Sequence, residues 1–281
     1  MGYGAWSDWV GRTHAVEDLI GPGIAHAMAA TLGSTGAASL DTGAPVPHPW
    51  IWAYFLEPAE RREIGPDGHP KRGGFLPPIP NPRRMWAGSR CTFENHLRVG
   101  QQARKTSTIH SIEEKNGRTG PMVFVTVLHE TTANGTLVMR EAQDIVYIDI
   151  PEVFSPPPGK PVPPCEHVEP YDIDPVLLFR YSALTFNGHR IHYDRPYSRD
   201  VEKYPGLVVH GPLQATLLHD FASRKYPDRT PASFAFRGVR PIFDFDDMTL
   251  NAREVDGNTA ELFTANGDGA ISMTATMEWA A

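Results

Sequence analysis

The chain has 281 residues, 41% of them hydrophobic, and a formal charge of -7. That length suits two domains on a prior of ~150 residues each, and the acid excess without a basic stripe argues against a nucleic-acid partner. Two widely separated cysteines, Cys91 and Cys165, make no disulfide framework and point to a reducing compartment.

The N-terminus "MGYGAWSDWVGRTH" has no apolar core behind a basic start, so no signal peptide is expected. Position 6 is Trp, which argues against myristoylation. No apolar run approaches the ~20 residues that span a bilayer, so the expected location is the cytoplasm, with no membrane partner. "THAVEDLIGPGIAHAMAATLG" (13–33) suggests one or two short helices. Thr13 can cap the first, Pro22 can open the second and Gly33 can end it. A Pro- and Gly-rich stretch follows over 41–82, with the aromatic island "HPWIWAYFL" (48–56) inside it.

Residues 87–150 read as strands joined by tight turns. Asn116-Gly117 and Asn134-Gly135 are expected to supply the positive φ angles of hairpins. The β-branched run "MVFVTVL" (122–128) suits a strand buried on both faces. In "PEVFSPPPGKPVPPCEHVEP" (151–170), eight of twenty residues are proline, which excludes a helix or a central strand and marks a linker. The expected division is therefore 1–150, a linker over 151–170, and 171–281. In the last part Leu213, Leu217, Leu218 and Phe221 give "GPLQATLLHDFASRK" (211–225) helical spacing with one apolar face. Strands are expected over 233–243, 248–255, 259–265 and 270–279, with Asp256-Gly257 and Asn266-Gly267 at turns. A helix followed by antiparallel strands, occurring twice, describes a duplicated α+β chain.

"FNGHRIHYDRPY" (186–197) concentrates the polar chemistry. The imidazole of His192 can take and return a proton near neutral pH, and the amide of Asn187 can orient water but cannot transfer a proton. About 20 residues on, "PGLVVHGPL" (205–213) ends an apolar run at His210-Gly211-Pro212, where the helix begins. Free N–H groups and the positive end of the helix dipole lie there, and Gly211 lets a ligand approach the main chain. Taken singly, each segment is equally a polar turn and an ordinary helix start.

Together, "YSALTFNGHRIHYDRPYSRDVEKYPGLVVHGPL" (181–213) resembles the hydratase motif of the MaoC-like, or R-specific enoyl-CoA hydratase, group of hot-dog enzymes. Thr185, Ile191-His192-Tyr193-Asp194 and Val208-Val209-His210-Gly211 fall in register with it. "GFLPPIPNPRRMWAGSRCTF" (74–93), "NGRTGPMVFVTVLHE" (116–130) and "QDIVYI" (143–148) look like the double-hot-dog hydroxyacyl-thioester dehydratases, which include mesaconyl-C4-CoA and itaconyl-CoA hydratases. The resemblance implies two hot-dog domains packed as a pseudo-dimer, each a sheet wrapped on a helix. It implies hydration or dehydration across C2–C3 of an acyl thioester, possible homo-oligomers, and no cofactor beyond the thioester itself. It gives His192 the proton work and Gly211 N–H the thioester carbonyl. The family's acid falls on Asn187, so a shared Asp–His mechanism does not transfer intact. Phe186, His189 and Arg190 stand where the motif has Gly, Asn and Pro, which suggests a differently shaped loop.

Val209, His210 and Pro212 flank the expected carbonyl site and are candidate substrate contacts. Arg190 is a candidate for a substrate carboxylate or a CoA phosphate, as is Arg195, and Trp86 is a candidate for the acyl pocket wall. Asp194 is expected to anchor the loop. His189 and His192 form H-x-x-H, but no third ligand accompanies them, so no metal is expected. The first part has no copy of Ile191-His192-Tyr193-Asp194, so one site is expected per chain, at the seam, with the first part as a wall. Two other functions remain open, a hot-dog thioesterase and a non-catalytic acyl-thioester binder.

Overall fold

The computed structural model describes residues 6–33, 40–117 and 120–280. The first half contributes β1 (Thr13–Leu19), β2 (Arg83–Phe93), β3 (Gln102–Gly117), β4 (Gly120–Ala133) and β5 (Thr136–Ile148). The second contributes β6 (His167–Tyr171), β7 (Pro231–Gly238), β8 (Met248–Asp256), β9 (Thr259–Ala265) and β10 (Ile271–Trp279). All ten form one antiparallel sheet in the order β1-β3-β4-β5-β2-β7-β10-β9-β8-β6. From either edge inward the two halves have the same order, and they join where β2 pairs with β7, from Gly88↔Arg237 to Thr92↔Ser233. The duplication therefore lies in strand order. The proline-rich segment between β5 and β6 adds only an isolated bridge, Pro161 to Ala270.

Among the described residues, four α-helices accompany the sheet: α1 (Pro22–Leu32), α2 (Pro175–Leu184), α3 (Arg195–Asp200) and α4 (Gly211–Lys225). The last covers the residues expected from the apolar spacing, and its Leu213, Leu217, Leu218 and Phe221 are all buried in the main core. The helices break the symmetry. Helix α1 follows β1 as α2 follows β6, and both open on proline. Where the second half has α4, the first has only a six-residue 3-10 turn, His48–Ala53. Its Trp50, Ile51 and Ala53 join Tyr54 and Phe55 in the core, so the aromatic island fills space that a second long helix would occupy.

Several local expectations change. Residues 13–19 form β1 and not a helix, because the backbone of β3 pairs with them from Thr13↔Thr108 to Leu19↔Gln102. Helix begins only after Gly21, at Pro22, and ends as expected at Gly33, φ 66°. Within the run 122–128 of β4, Val123, Val125 and Val127 are buried, while Leu128 is 36% exposed. The alternating Met122, Phe124 and Thr126 are only partly buried, so the strand is not buried on both faces. Asn134 (φ 51°) and Gly135 (φ 79°) make the expected hairpin turn. Asn116 and Gly117 lie within β3, and residues 118–119 are outside the described ones. The last hairpin uses Gly269 (φ 73°) for its left-handed residue, and β7 stops at Gly238, short of 243. Among the described residues, no helix is long and apolar enough to cross a membrane.

Candidate active site

The segment between β6 and α4 builds the site. Asp174 caps α2 through the Leu177 N–H, and the chain then turns at Phe186, φ 50°. A left-handed angle favours glycine. Phe186 thus holds, at this turn, a backbone angle that glycine adopts more readily. Residues 190–192 form a 3-10 turn, and Asp194 caps α3 through the Tyr197 N–H at 3.1 Å. Asp194 thus ties the loop to the start of α3 and to Arg190.

His192 is buried, 7% exposed. Its Nδ1–H donates to the Val208 carbonyl at 2.7 Å, which fixes the tautomer. Among the described residues, Nε2 makes no hydrogen bond. Burial, then the neighbouring His210, holds the His192 pKa well below 6.5, so at neutral pH the ring is uncharged and its free nitrogen carries a lone pair. The ring stacks on His210 with centroids 3.6 Å apart.

His210 is fully buried, and its Nε2 shares a hydrogen bond with Ser182 Oγ at 2.8 Å. Burial brings it down to a pKa of about 3. It supports His192 from beneath and presents nothing to a substrate. Val209 is likewise in the core, with its N–H donating to Ile242. The expectation that His210 and Val209 side chains touch substrate is therefore corrected. Their value is in placement.

Gly211 follows His210 and is the first residue of α4. No side chain caps this helix, and the Gly211 N–H has no partner among the described residues. Gly211 and Pro212 are both partly exposed. Backbone geometry places an imidazole within ~6 Å of the next residue's amide nitrogen. Adding the stacking distance, the His192 ring and the Gly211 N–H lie within roughly 10 Å, close enough to straddle one thioester. A Cβ on Gly211 would meet the Trp86 carbonyl at 3.7 Å, so strand β2 of the first half reaches the carbonyl site. Trp86 itself packs edge-on to Trp52 and donates to Ser89 Oγ.

Arg190 is committed elsewhere. It pairs with Asp194 through Nε and Nη2, and its Nη1 donates to the Pro66 carbonyl. Arg195 pairs with Asp244. Neither is a free cation beside His192. Asn187 lies in the loop with His192, but its side-chain oxygen accepts the His189 N–H at 3.0 Å. What it offers outward is its NH₂.

The first half supplies more than a wall. Its turn "GPDGHP" (65–70) packs on loop 187–190, and the His69 and His189 rings are 4.3 Å apart. His189 is in turn 5.6 Å from His192. Ligand-type atoms of Asp67, His69 and His189 lie within 4.8 Å of one another, so a distant segment brings two donors to His189, and His192 is not part of that group. His189 also contacts Glu202, 1% exposed, which the first-half Arg83, 4% exposed, holds at 2.7 Å. A cleft of about 830 Å³ opens alongside, lined by Asp67, Lys71, Arg72, Arg84, Arg190 and Tyr197 among others. Its lining includes Asp67 and Arg190 but neither His192 nor Gly211.

With this geometry in place, comparison with known proteins is decisive. The profile of hydroxyacyl-thioester dehydratase type 2 matches residues 49–244. The chain belongs to that family. It is 47% identical, over 97% of each chain, to mesaconyl-C(4)-CoA hydratase of Chloroflexus aurantiacus. A mitochondrial hydroxyacyl-thioester dehydratase type 2 of Schizosaccharomyces pombe is 30% identical over 47% of this chain and 45% of its own. Among solved structures, a MaoC-like dehydratase overlays with TM-score 0.74 at 16% identity, covering 98% of this chain and 99% of its own. A Mycobacterium tuberculosis protein described as a double hotdog fold overlays with TM-score 0.60 at 13% identity, covering 96% of each chain. These overlays support the α+β double-hot-dog architecture.

Sequence reasoning missed Asp67, His69, Arg83 and Glu202 as members of the site. Asp67 and His69 sat in a stretch distinguished only by its Pro and Gly content. The one available signal was an acid and a histidine two apart around a glycine.

Proposed function

We propose that this chain is a hydro-lyase that adds water to, or removes it from, C2–C3 of an acyl thioester, with coenzyme A as the carrier. One observation carries this: an imidazole with a free Nε2 beside an uncapped helix N-terminus with a free glycine N–H. The thioester oxygen docks on Gly211 N–H, where charge develops as the enolate forms, and one such donor is worth ~3 kcal/mol of barrier. His192 Nε2 takes a proton from water as the oxygen bonds to C3. It then returns that proton to C2. The thioester is its own electron sink, so the chemistry needs no further cofactor. Pro212 and Trp86 line the approach to the carbonyl.

The cationic cleft of Lys71, Arg72 and Arg84 suits the phosphates of coenzyme A. The relative's name favours a short acyl group with a second carboxylate, of the mesaconyl-C4-CoA kind. The setting we assign is the cytoplasm, consistent with two unpaired cysteines.

A thioesterase would place a carboxylate early in the central helix. The first turn of α4 has no acid, and Asp220 pairs with Arg224 instead. The test is a panel of enoyl- and 3-hydroxyacyl-CoA esters, with and without a second carboxylate, followed by conjugated-thioester absorbance and by free thiol. Absorbance change without thiol supports the hydro-lyase. Thiol release would indicate a thioesterase, and silence on both a binder.

A further inference from the structure

Hydration needs the attacking water held as well as deprotonated. His192 removes one proton. The second O–H requires an acceptor, and Asn187 has already turned its oxygen to His189 N–H. We propose that His69, oriented by Asp67, is a second catalytic residue of this site, its Nε2 accepting the other O–H of the water and aiming the oxygen at C3. This rests on the hydro-lyase reading.

Three observations support it. First, the imidazole is set for the task. Asp67 Oδ2 accepts the His69 Nδ1–H at 3.0 Å, and Oδ1 accepts its backbone N–H at 3.1 Å. The carboxylate thus fixes the tautomer and leaves Nε2 without a hydrogen-bond partner among the described residues. Burial, outweighing Asp67, brings the ring to a pKa of about 4, so it is an uncharged acceptor at neutral pH. His69 and His192 therefore present the same form, with Nδ1–H anchored and Nε2 open.

Second, the turn carrying His69 is built into the site. Its own bonds close it, from Gly65 N–H to His69 O at 2.7 Å and from Gly68 N–H to Gly65 O at 3.1 Å. The Arg190 N–H donates to the Asp67 carbonyl at 2.9 Å. Gly68 and Gly188 meet backbone to backbone. A Cβ on Gly68 would lie 1.8 Å from the Gly188 oxygen, and one on Gly188 would lie 2.4 Å from the Gly68 oxygen. Only glycine at both positions lets the first half approach the catalytic loop this closely.

Third, the rings are contiguous, from His69 to His189 to His192. The proximity of Asp67, His69 and His189 also resembles a metal-ligand set. The Asp67–His69 contact argues for the dyad, because those two atoms already share a proton.

The proton count closes without a net transfer through His69. The C3–O bond forms as His192 Nε2 removes one water proton. The π pair moves towards C2 and the thioester oxygen, held by Gly211 N–H, and His192 then protonates C2. The hydrogen bonded to His69 stays on the product hydroxyl.

The experiment is steady-state hydration of an enoyl-CoA by the full chain carrying His69→Ala, His69→Gln or Asp67→Asn. The expected result is a fall in kcat of about 10²-fold for His69→Ala with KM changed far less, in the range of one lost positioning hydrogen bond in the transition state. Added imidazole should restore part of the His69→Ala rate, and His69→Gln should retain more activity than Ala. Neither response follows from a purely structural role. If the Ala variant fails to fold, the Gln and Asp67→Asn variants carry the comparison. Unchanged kcat in His69→Ala overturns the proposal while leaving the hydro-lyase reading intact. Loss of wild-type activity to a chelator, restored by Zn²⁺, overturns it in favour of a metal. A wild-type chain inactive on every thioester removes both.

Discussion

The two halves share a strand order but not a helix inventory. Between β6 and β7 the second half places α2, α3 and α4; between β1 and β2 the first places α1 and a short buried turn. A hot-dog sheet is thus a scaffold that tolerates the loss of its central helix when aromatic side chains refill the core. The loss has a chemical consequence. Helix α4 gives the second half an uncapped start at Gly211, beside the Trp86 carbonyl of the first half, and this is where the proposed reading docks the thioester carbonyl. The first half, without that helix, contributes instead a docked turn at 65–70 and a buried arginine. In the proposed reading, one half polarises the substrate and the other completes the surroundings of the histidine.

This division can be broken experimentally. The largest effect is expected from His192→Ala, with kcat reduced about 10³-fold and the circular dichroism spectrum retained. In the wild type, His192 is held well below 6.5. Protonation would remove its lone pair, so the pH–rate profile should show no acid limb near that value. A limb there would mean that His192 titrates like an exposed histidine.

Arg83→Met tests whether the halves depend on each other for stability. It strands Glu202, 1% exposed, without its partner, and a loss of about 3–5 kcal/mol in denaturant unfolding is expected. Burial alone would raise the Glu202 pKa, but the His189 hydrogen bond and Arg83 bring it below the ordinary 4.5. The stability it contributes is therefore full above about 4.5 and is lost as pH falls through the depressed folded value. The wild-type advantage over Glu202→Gln should shrink along that acid limb.

Gly211→Pro removes one N–H and leaves the helix start plausible. A fall in kcat of about 10²-fold is expected, whereas Gly211→Ala should fold normally, since its Cβ meets nothing nearer than 3.7 Å. Equal effects of Pro and Ala would show that the amide is not the active feature. The smallest change is expected from Arg104→Ala, which breaks an exposed pair with Glu17. Unfolding free energy should shift by no more than about 0.5 kcal/mol.

Much of this was legible in the sequence where one element determined the outcome. Helix α4 followed from Leu213, Leu217, Leu218 and Phe221, and the Asn134-Gly135 turn from its own φ preferences. His192, Gly211 and Asp194 came from contiguous motifs. What was not legible depended on partners far along the chain. Residues 13–19 become a strand because β3 offers an edge, and no local pattern carries that fact. The buried roles of Val209 and His210 follow from stacking and core packing that spacing does not encode. His69 lies 123 positions before His192, and the contact between Gly68 and Gly188 that unites their segments leaves only two glycines as its trace.

The most direct measurement is hydration of an enoyl-CoA by the wild type and by His192→Ala, following thioester conjugation and free thiol together. The expected result is loss of conjugation without thiol in the wild type, and neither signal in the variant. Thiol release by the wild type, or undiminished hydration by the variant, would contradict the account.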